Sequence, residues 1–414
     1  MKNKKILAWA MYDWADSAFA TTVLAGFFPI FFSSYYSLGQ DSTKTTFYLG
    51  LANSLASLCI SIFAPILGSI ADKAGAKKKF IIAFTFLAAL NSSLLFVVQS
   101  GSWVLALFIF MLANIGFSSC HTFYDSLLPS VASEKEVDFA SSLGYSLGYI
   151  GGGLLFLVNV FMYLKPALFG LASDVDAIRV SFLMVGIWYI VFALPLFIFV
   201  KEDKTDTISI GKAISTGMSD LVVTLKEIRK HKNILMYLLA YWLYIDGVDT
   251  IIKMAVDYGS SLGFSSSSLI VALLITQFVA FPSALIYVKV GEKVGVKNAI
   301  FIAICAYSVI TIIGVFMTLE IHFYILAVCI GLFQGGIQAL SRSYYSRLVP
   351  KNKEAQFYGF YNMMGKFAAI IGPLLMGVVT LVTKSNRLGI FSVVILFVLG
   401  GFFLTKVKDE RSTI

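Results

Sequence analysis

The four longest stretches of this 414-residue chain without Asp, Glu, Lys or Arg are Thr45–Ala71, Phe80–Tyr124, Phe139–Leu164 and Tyr258–Val288. A helix of roughly 18–20 apolar residues crosses the hydrocarbon core of a bilayer, and each stretch reaches that length. Charged residues make up only 13% of the chain, against about 25% in a soluble domain, so a water-facing surface could not be covered. These runs predict an all-α integral membrane protein with many spans, and they exclude a soluble enzyme.

Hydropathy divides the chain into twelve predicted spans: 6–35, 46–71, 80–98, 102–124, 139–164, 179–200, 233–257, 266–290, 298–318, 322–346, 356–382 and 388–405. Gln99-Ser100-Gly101-Ser102 supplies the turn between the third and fourth. Lys2, Lys4 and Lys5 before an apolar run imitate a leader, but Asp13 and Asp16 interrupt it and no small-residue cleavage site follows, so the first span is expected to be retained. An even span count puts both termini on one side. Placing them in the cytoplasm leaves only Lys44, Lys165, Arg179, Lys384 and Arg387 outside, with Lys253 and Lys366 inside spans. The predicted organisation is a six-helix bundle over 1–200, a cytoplasmic linker over 201–232 and a second bundle over 233–414. Within the linker, Ile214, Met218, Leu221, Val222, Leu225 and Ile228 fall at helical intervals, predicting an amphipathic surface helix over 213–231.

The halves repeat one another. Trp9-x3-Asp13-x2-Asp16-Ser17 in the first span returns as Trp242-x3-Asp246-x2-Asp249-Thr250 in the seventh. Parallel six-span repeats build many secondary carriers, with the substrate site at their interface near mid-membrane. Charges inside spans cost about 2.5–3.5 kcal/mol each on insertion scales, so each is a functional candidate. Asp246, Asp249 and Lys253 share one helix face by their spacing, and so do Asp13 and Asp16. Arg342 follows Gln334 and Gln338 along the tenth span, and Lys366 lies near Asn362 in the eleventh. These ten residues are the predicted substrate and ion site. A carboxylate between low-dielectric walls is disfavoured in its charged form and suits proton exchange, with Asp246 the first choice and Asp13 the second. Arg342 and Lys366 would face an anionic substrate group. The bland alternative is that these charges pair and lock the bundle.

Other strings carry no chemistry. Gly144-Tyr-Ser146-Leu-Gly148 matches a hydrolase elbow only in letters, because it lies inside a helical span rather than at a strand-to-helix turn. Gly144, Gly148 and Gly152 instead mark close helix approach. Four scattered cysteines and three histidines offer no ligand spacing, Cys120-His121 being the one adjacent pair, and no Walker string occurs. No cofactor, metal or nucleic acid is expected. The expected partners are a small-molecule substrate, protons or another coupling ion, and membrane lipids, around a monomer.

Gly68-Ser-Ile-Ala-Asp72-Lys73-Ala-Gly75-Ala-Lys77, at the end of the second span, resembles the loop signature of the major facilitator superfamily. A degenerate copy stands at Gly291-Glu-Lys-Val-Gly295-Val-Lys297. The resemblance implies that Gly68, Asp72, Lys73, Gly75 and Lys77 form a conformational-switch loop. Tyr12-Asp13-Trp14-Ala15-Asp16-Ser17, Asp246-Gly247-Val248-Asp249, Gln334-Gly-Gly-Ile-Gln338-Ala-Leu-Ser-Arg342 and Phe357-Tyr-Gly359-Phe-Tyr361-Asn362 look like the vacuole-effluxer branch of that superfamily. That branch implies a carrier of small polar solutes, above all amino acids, working by alternating access in a bacterial inner membrane or an organelle equivalent. Asp16 and Asp249 stand where the branch pattern has amides, and would add negative charge to the cavity. A lipid or hydrophobic-cofactor translocator and a non-transporting scaffold are the alternative uses of such a fold.

Overall fold

The computed structural model describes residues 2–40, 42–202 and 231–408. Twelve long helices account for most of them. In the first half these are α1 (Lys4–Tyr36), α2 (Ser42–Ala74), α3 (Lys77–Leu94), α4 (Trp103–Ser126), α5 (Val137–Leu164) and α6 (Asp174–Phe199). In the second they are α7 (Lys232–Ser261), α8 (Ser266–Val294), α9 (Val296–Val315), α10 (Glu320–Leu348), α11 (Glu354–Thr383) and α12 (Asn386–Lys406). Among the described residues, eleven are long and apolar enough to cross a membrane, and α11 contributes the apolar stretch Ile371–Thr383. The predicted linker helix over 213–231 lies outside the described residues but for His231.

Most helices begin a few residues before the predicted spans, because polar ends such as Lys77-Lys78-Lys79 continue the helix beyond the apolar core, whereas α3 and α9 stop short of theirs at Leu94 and Val315. Gly101, at φ +80°, makes the predicted hairpin turn between α3 and α4. α1 is less regular than its hydropathy suggests. It widens at Phe19–Phe27 and again at Phe32–Tyr36, on either side of Pro29. Pro29 donates no backbone hydrogen bond, and the Phe28 N–H reaches back to the Val23 carbonyl, one residue further than an α-helix allows.

Each half has its own hydrophobic cluster, one running from Ile6 to Val200 and joined by Ala355 of α11, the other running from Ile234 to Val407. The start of α1, the end of α12, the α2–α3 turn and the α4–α5 and α10–α11 connections lie on one face, called here the terminal face. Helix starts are capped differently on the two faces. On the far face, Ser173, Ser265 and Ser385 each accept the backbone N–H three residues on. On the terminal face, two helices take their caps from elsewhere in the chain. Glu202, just after α6, accepts the Lys77 and Lys78 N–H groups that open α3. Burial pushes the Glu202 carboxyl above the ordinary glutamate range, with those two backbone donors pulling the other way. Asp72, at the end of α2, caps α11 by accepting from Ala355 N at 3.1 Å and Gln356 N at 2.8 Å.

Candidate functional site: a charged latch between the halves

The α2–α3 turn reverses at Gly75, whose φ of +55° favours glycine. The reversal sets Lys77 Nζ 3.0 Å from both Asp72 and Glu354, so this lysine bridges the two halves. A side chain at Gly68 would run into the Ala355 backbone, with the carbonyl carbon 2.7 Å from its first atom. Glycine there is what lets α2 lie against the start of α11. Lys73 ends α2. In the degenerate second copy, Lys297 donates to the Val407 carbonyl and stays within its own half.

Deeper in, the two halves meet at Arg342 of α10, which is 1% exposed. Its Nη2 lies 3.1 Å from Asp13 of α1 and its Nη1 3.1 Å from Asp125 of α4. Nε donates to Ser141 Oγ at 2.9 Å, and Nη2 also donates to the Ser141 carbonyl. The guanidinium lies over the rings of Trp9, Tyr124 and Tyr145, 4.2–5.4 Å from their centroids. Tyr124 donates to Asp13, Asn362 Nδ2 to Asp125, and Tyr358 to the Arg342 carbonyl. One cation is thus held by two carboxylates and a serine from the other half. Nearer the surface, Arg347 pairs with Asp138 at 2.7 Å. The pairs Lys77–Glu354, Arg342–Asp13, Arg342–Asp125 and Arg347–Asp138 all join the halves toward the terminal face and hold it shut.

The glycine row of α5 makes the latch possible. A side chain at Gly144 would stand 2.9 Å from Arg342 Nη2, and at Gly148 2.6 Å from Ser17 Oγ. Ser146, the centre of the false elbow, donates to the Phe281 carbonyl of α8 and has no catalytic partner.

The remaining predicted residues are distributed as follows. Asp13 and Asp16 part company: Asp13 enters the latch, whereas Asp16 faces His121 of α4, Nε2 to Oδ2 3.6 Å. Asp246 turns into α11, accepting the Gly372 N–H at 2.9 Å and the Thr250 hydroxyl at 3.4 Å. Asp249 and Lys253 face each other at 3.8 Å and are partly exposed. Gln338 accepts from Tyr149, and Gln334 is buried one turn before it. The side chain of Lys366 lies outside the described residues. His121 is absent from the predicted site, because the sequence shows it only as the neighbour of Cys120 without metal-ligand spacing. Consecutive helix residues point about 100° apart, so Cys120 faces Thr85 while His121 faces Asp16. The i,i+4 spacing of His121 and Asp125 was the usable signal. An apolar cleft lined by Ile251, Ala272, Ile310, Phe323 and Ile330 lies within the second half and has no charged lining residue.

Twelve helices in two packed halves, with charge buried where the halves meet, define a membrane transporter of the major facilitator fold and not an enzyme. Solved structures carry the same fold. The chain matches the major facilitator transporter FucP in its outward conformation (TM-score 0.73, 14% identity, 98% of this chain and 99% of that one) and the proton:xylose symporter XylE (TM-score 0.73, 13% identity, 98% and 95%). At residues 1–138 and 135–414 it matches the family described as vacuole effluxer Atg22 like, and it belongs to that family. It is 37% identical to the MFS-type transporter YxiO of Bacillus subtilis, over 99% of this chain and 96% of the relative. It is 24% identical to autophagy-related protein 22 of Saccharomyces cerevisiae, over 96% and 90%.

Proposed function

We propose that the protein is a secondary carrier that moves small polar solutes, amino acids first among them, by alternating access coupled to protons. The observation that carries this reading is Arg342, buried between Asp13 and Asp125 of the opposite half. A charge so placed has to leave its partners whenever the terminal face opens, and a carrier needs such a reversible barrier. The bodies that rock are residues 1–200 and 233–414, joined by the linker over 201–232. The terminal face is cytoplasmic in this reading and the membrane is a bacterial inner membrane, as the lysine distribution and the Bacillus relative suggest. Asp246, a buried carboxylate at the α7–α11 contact, is a proposed proton site.

The test is counterflow of a labelled amino-acid panel in proteoliposomes, with and without a pH gradient, comparing wild type with Asp246→Asn. Saturable exchange of one panel member, with gradient-driven accumulation lost in the variant, is the expected result. If no member moves under either condition, the amino-acid assignment is wrong.

A further inference from the structure

Asp16 is 1% exposed, yet its Oδ2 has no hydrogen-bond partner among the described residues. Its ion-pairing neighbour there is His121, at a distance too long for a hydrogen bond. The imidazole is 26% exposed against 2% for the Asp16 side chain, so it stands between the buried oxygen and accessible space. Phe117 braces the imidazole edge-on, ring centroids 4.8 Å apart.

The pair sits directly beside the latch. Asp16 follows Asp13 by one turn of α1, and His121 precedes Asp125 by one turn of α4. The groups facing Asp16 are Asp13, Tyr12 and Ser17 from α1, Cys120, Tyr124 and Asp125 from α4, Tyr189 from α6 and Arg342 from α10. Three carboxylates therefore share one permanent cation, and that cation belongs to the other half.

The geometry points to a proton site at Asp16–His121, separate from Asp246, where a proton and Arg342 compete for one acidic cluster. With the terminal face shut, Arg342 offsets the carboxylates. With it open, the three are left without their cation, and a proton shared between Oδ2 and Nε2 relieves more repulsion than it does in the shut form. By linkage, proton uptake favours release of the latch. This rests on the carrier reading above and adds how a proton would drive it.

Spin labels at Lys135→Cys and Lys351→Cys, both exposed, report the separation of the halves at the terminal face. Cys59, Cys305 and Cys329 are replaced by serine, and the buried Cys120 is kept. In liposomes, lowering the pH from about 8 to about 5.5 is expected to raise the ratio of separated to shut forms about tenfold. Asp16→Asn and His121→Gln should each abolish that response, and Asp246→Asn should keep it. A shut population at high pH shows that each variant has folded. A response that survives in both pair variants, or is lost only in Asp246→Asn, overturns the assignment while leaving proton-coupled transport standing. Absence of any response in the unmutated pair also overturns it. A null counterflow result would take down the amino-acid assignment alone, and the label response would still be read by itself.

Discussion

Arg342 has every face of its guanidinium occupied, by carboxylates and serine in its plane and by aromatic rings across it. Lysine offers a point charge and no planar fork, so it can satisfy only part of that setting. Arg342→Ala would leave Asp13 and Asp125 as uncompensated buried charges, at a cost of about 3–5 kcal/mol. The expected outcome is a clearly lower unfolding temperature in detergent, with Arg342→Lys intermediate; an unchanged temperature for the alanine variant would deny the latch its strength. Which residues mattered was legible from sequence, because a charge in an apolar span stands out. Which residues would pair was not. Spacing places Asp13 beside Asp16, and Asp246 beside Asp249 and Lys253, since spacing sees one helix at a time. Arg342, His121 and the Gly372 N–H come from other helices, and each draws one acid away from its neighbour.

At the scale of helices, the spans were readable to within about a turn, because a bilayer imposes length and apolarity together. The widened turns of α1 were not readable, because Pro29 marks a disturbance without saying how the neighbouring carbonyls will be satisfied. Caps taken from distant carboxylates were equally hidden: Asp72 was visible as a motif residue and Glu202 not at all. Glu202 carries a pH signature. Its carboxyl titrates above its unfolded value, so the stability it contributes is fully present below the ordinary glutamate range and is lost as pH rises through the raised value. Glu202→Gln should therefore flatten the decline of melting temperature across that window. Parallel profiles for variant and wild type would show that the carboxyl plays no such part.

For the whole molecule, the repeat promised symmetry and the structure departs from it. Asp13 ends in an ion pair and its counterpart Asp246 on a backbone N–H; the α2–α3 turn reaches across to Glu354, and its copy in the second half stays at home. Sequence similarity between repeats preserves the helix frame, and chemistry is free to diverge upon it. The relation of the halves depends on Gly68, against which the Ala355 backbone has no room to yield. Gly68→Ala is expected to force the start of α11 away from α2, with an overpacking cost of about 1–3 kcal/mol falling on the shut form alone. The separation between labels at positions 135 and 351 should then lengthen at neutral pH, with helix content unchanged. A shut distance like that of the wild type would show that α2 and α11 are not what sets the angle between the halves.

The cap that Asp72 places on α11 has one more consequence. In the opening proposed above, the Ala355 and Gln356 N–H groups and the Asp72 carboxylate lose each other at once. No apolar surface can satisfy them. Water has to arrive as they separate, so the terminal face opens by wetting as much as by rotation. Solutes that draw water away from protein surfaces would then hold the molecule shut without touching any residue of the site.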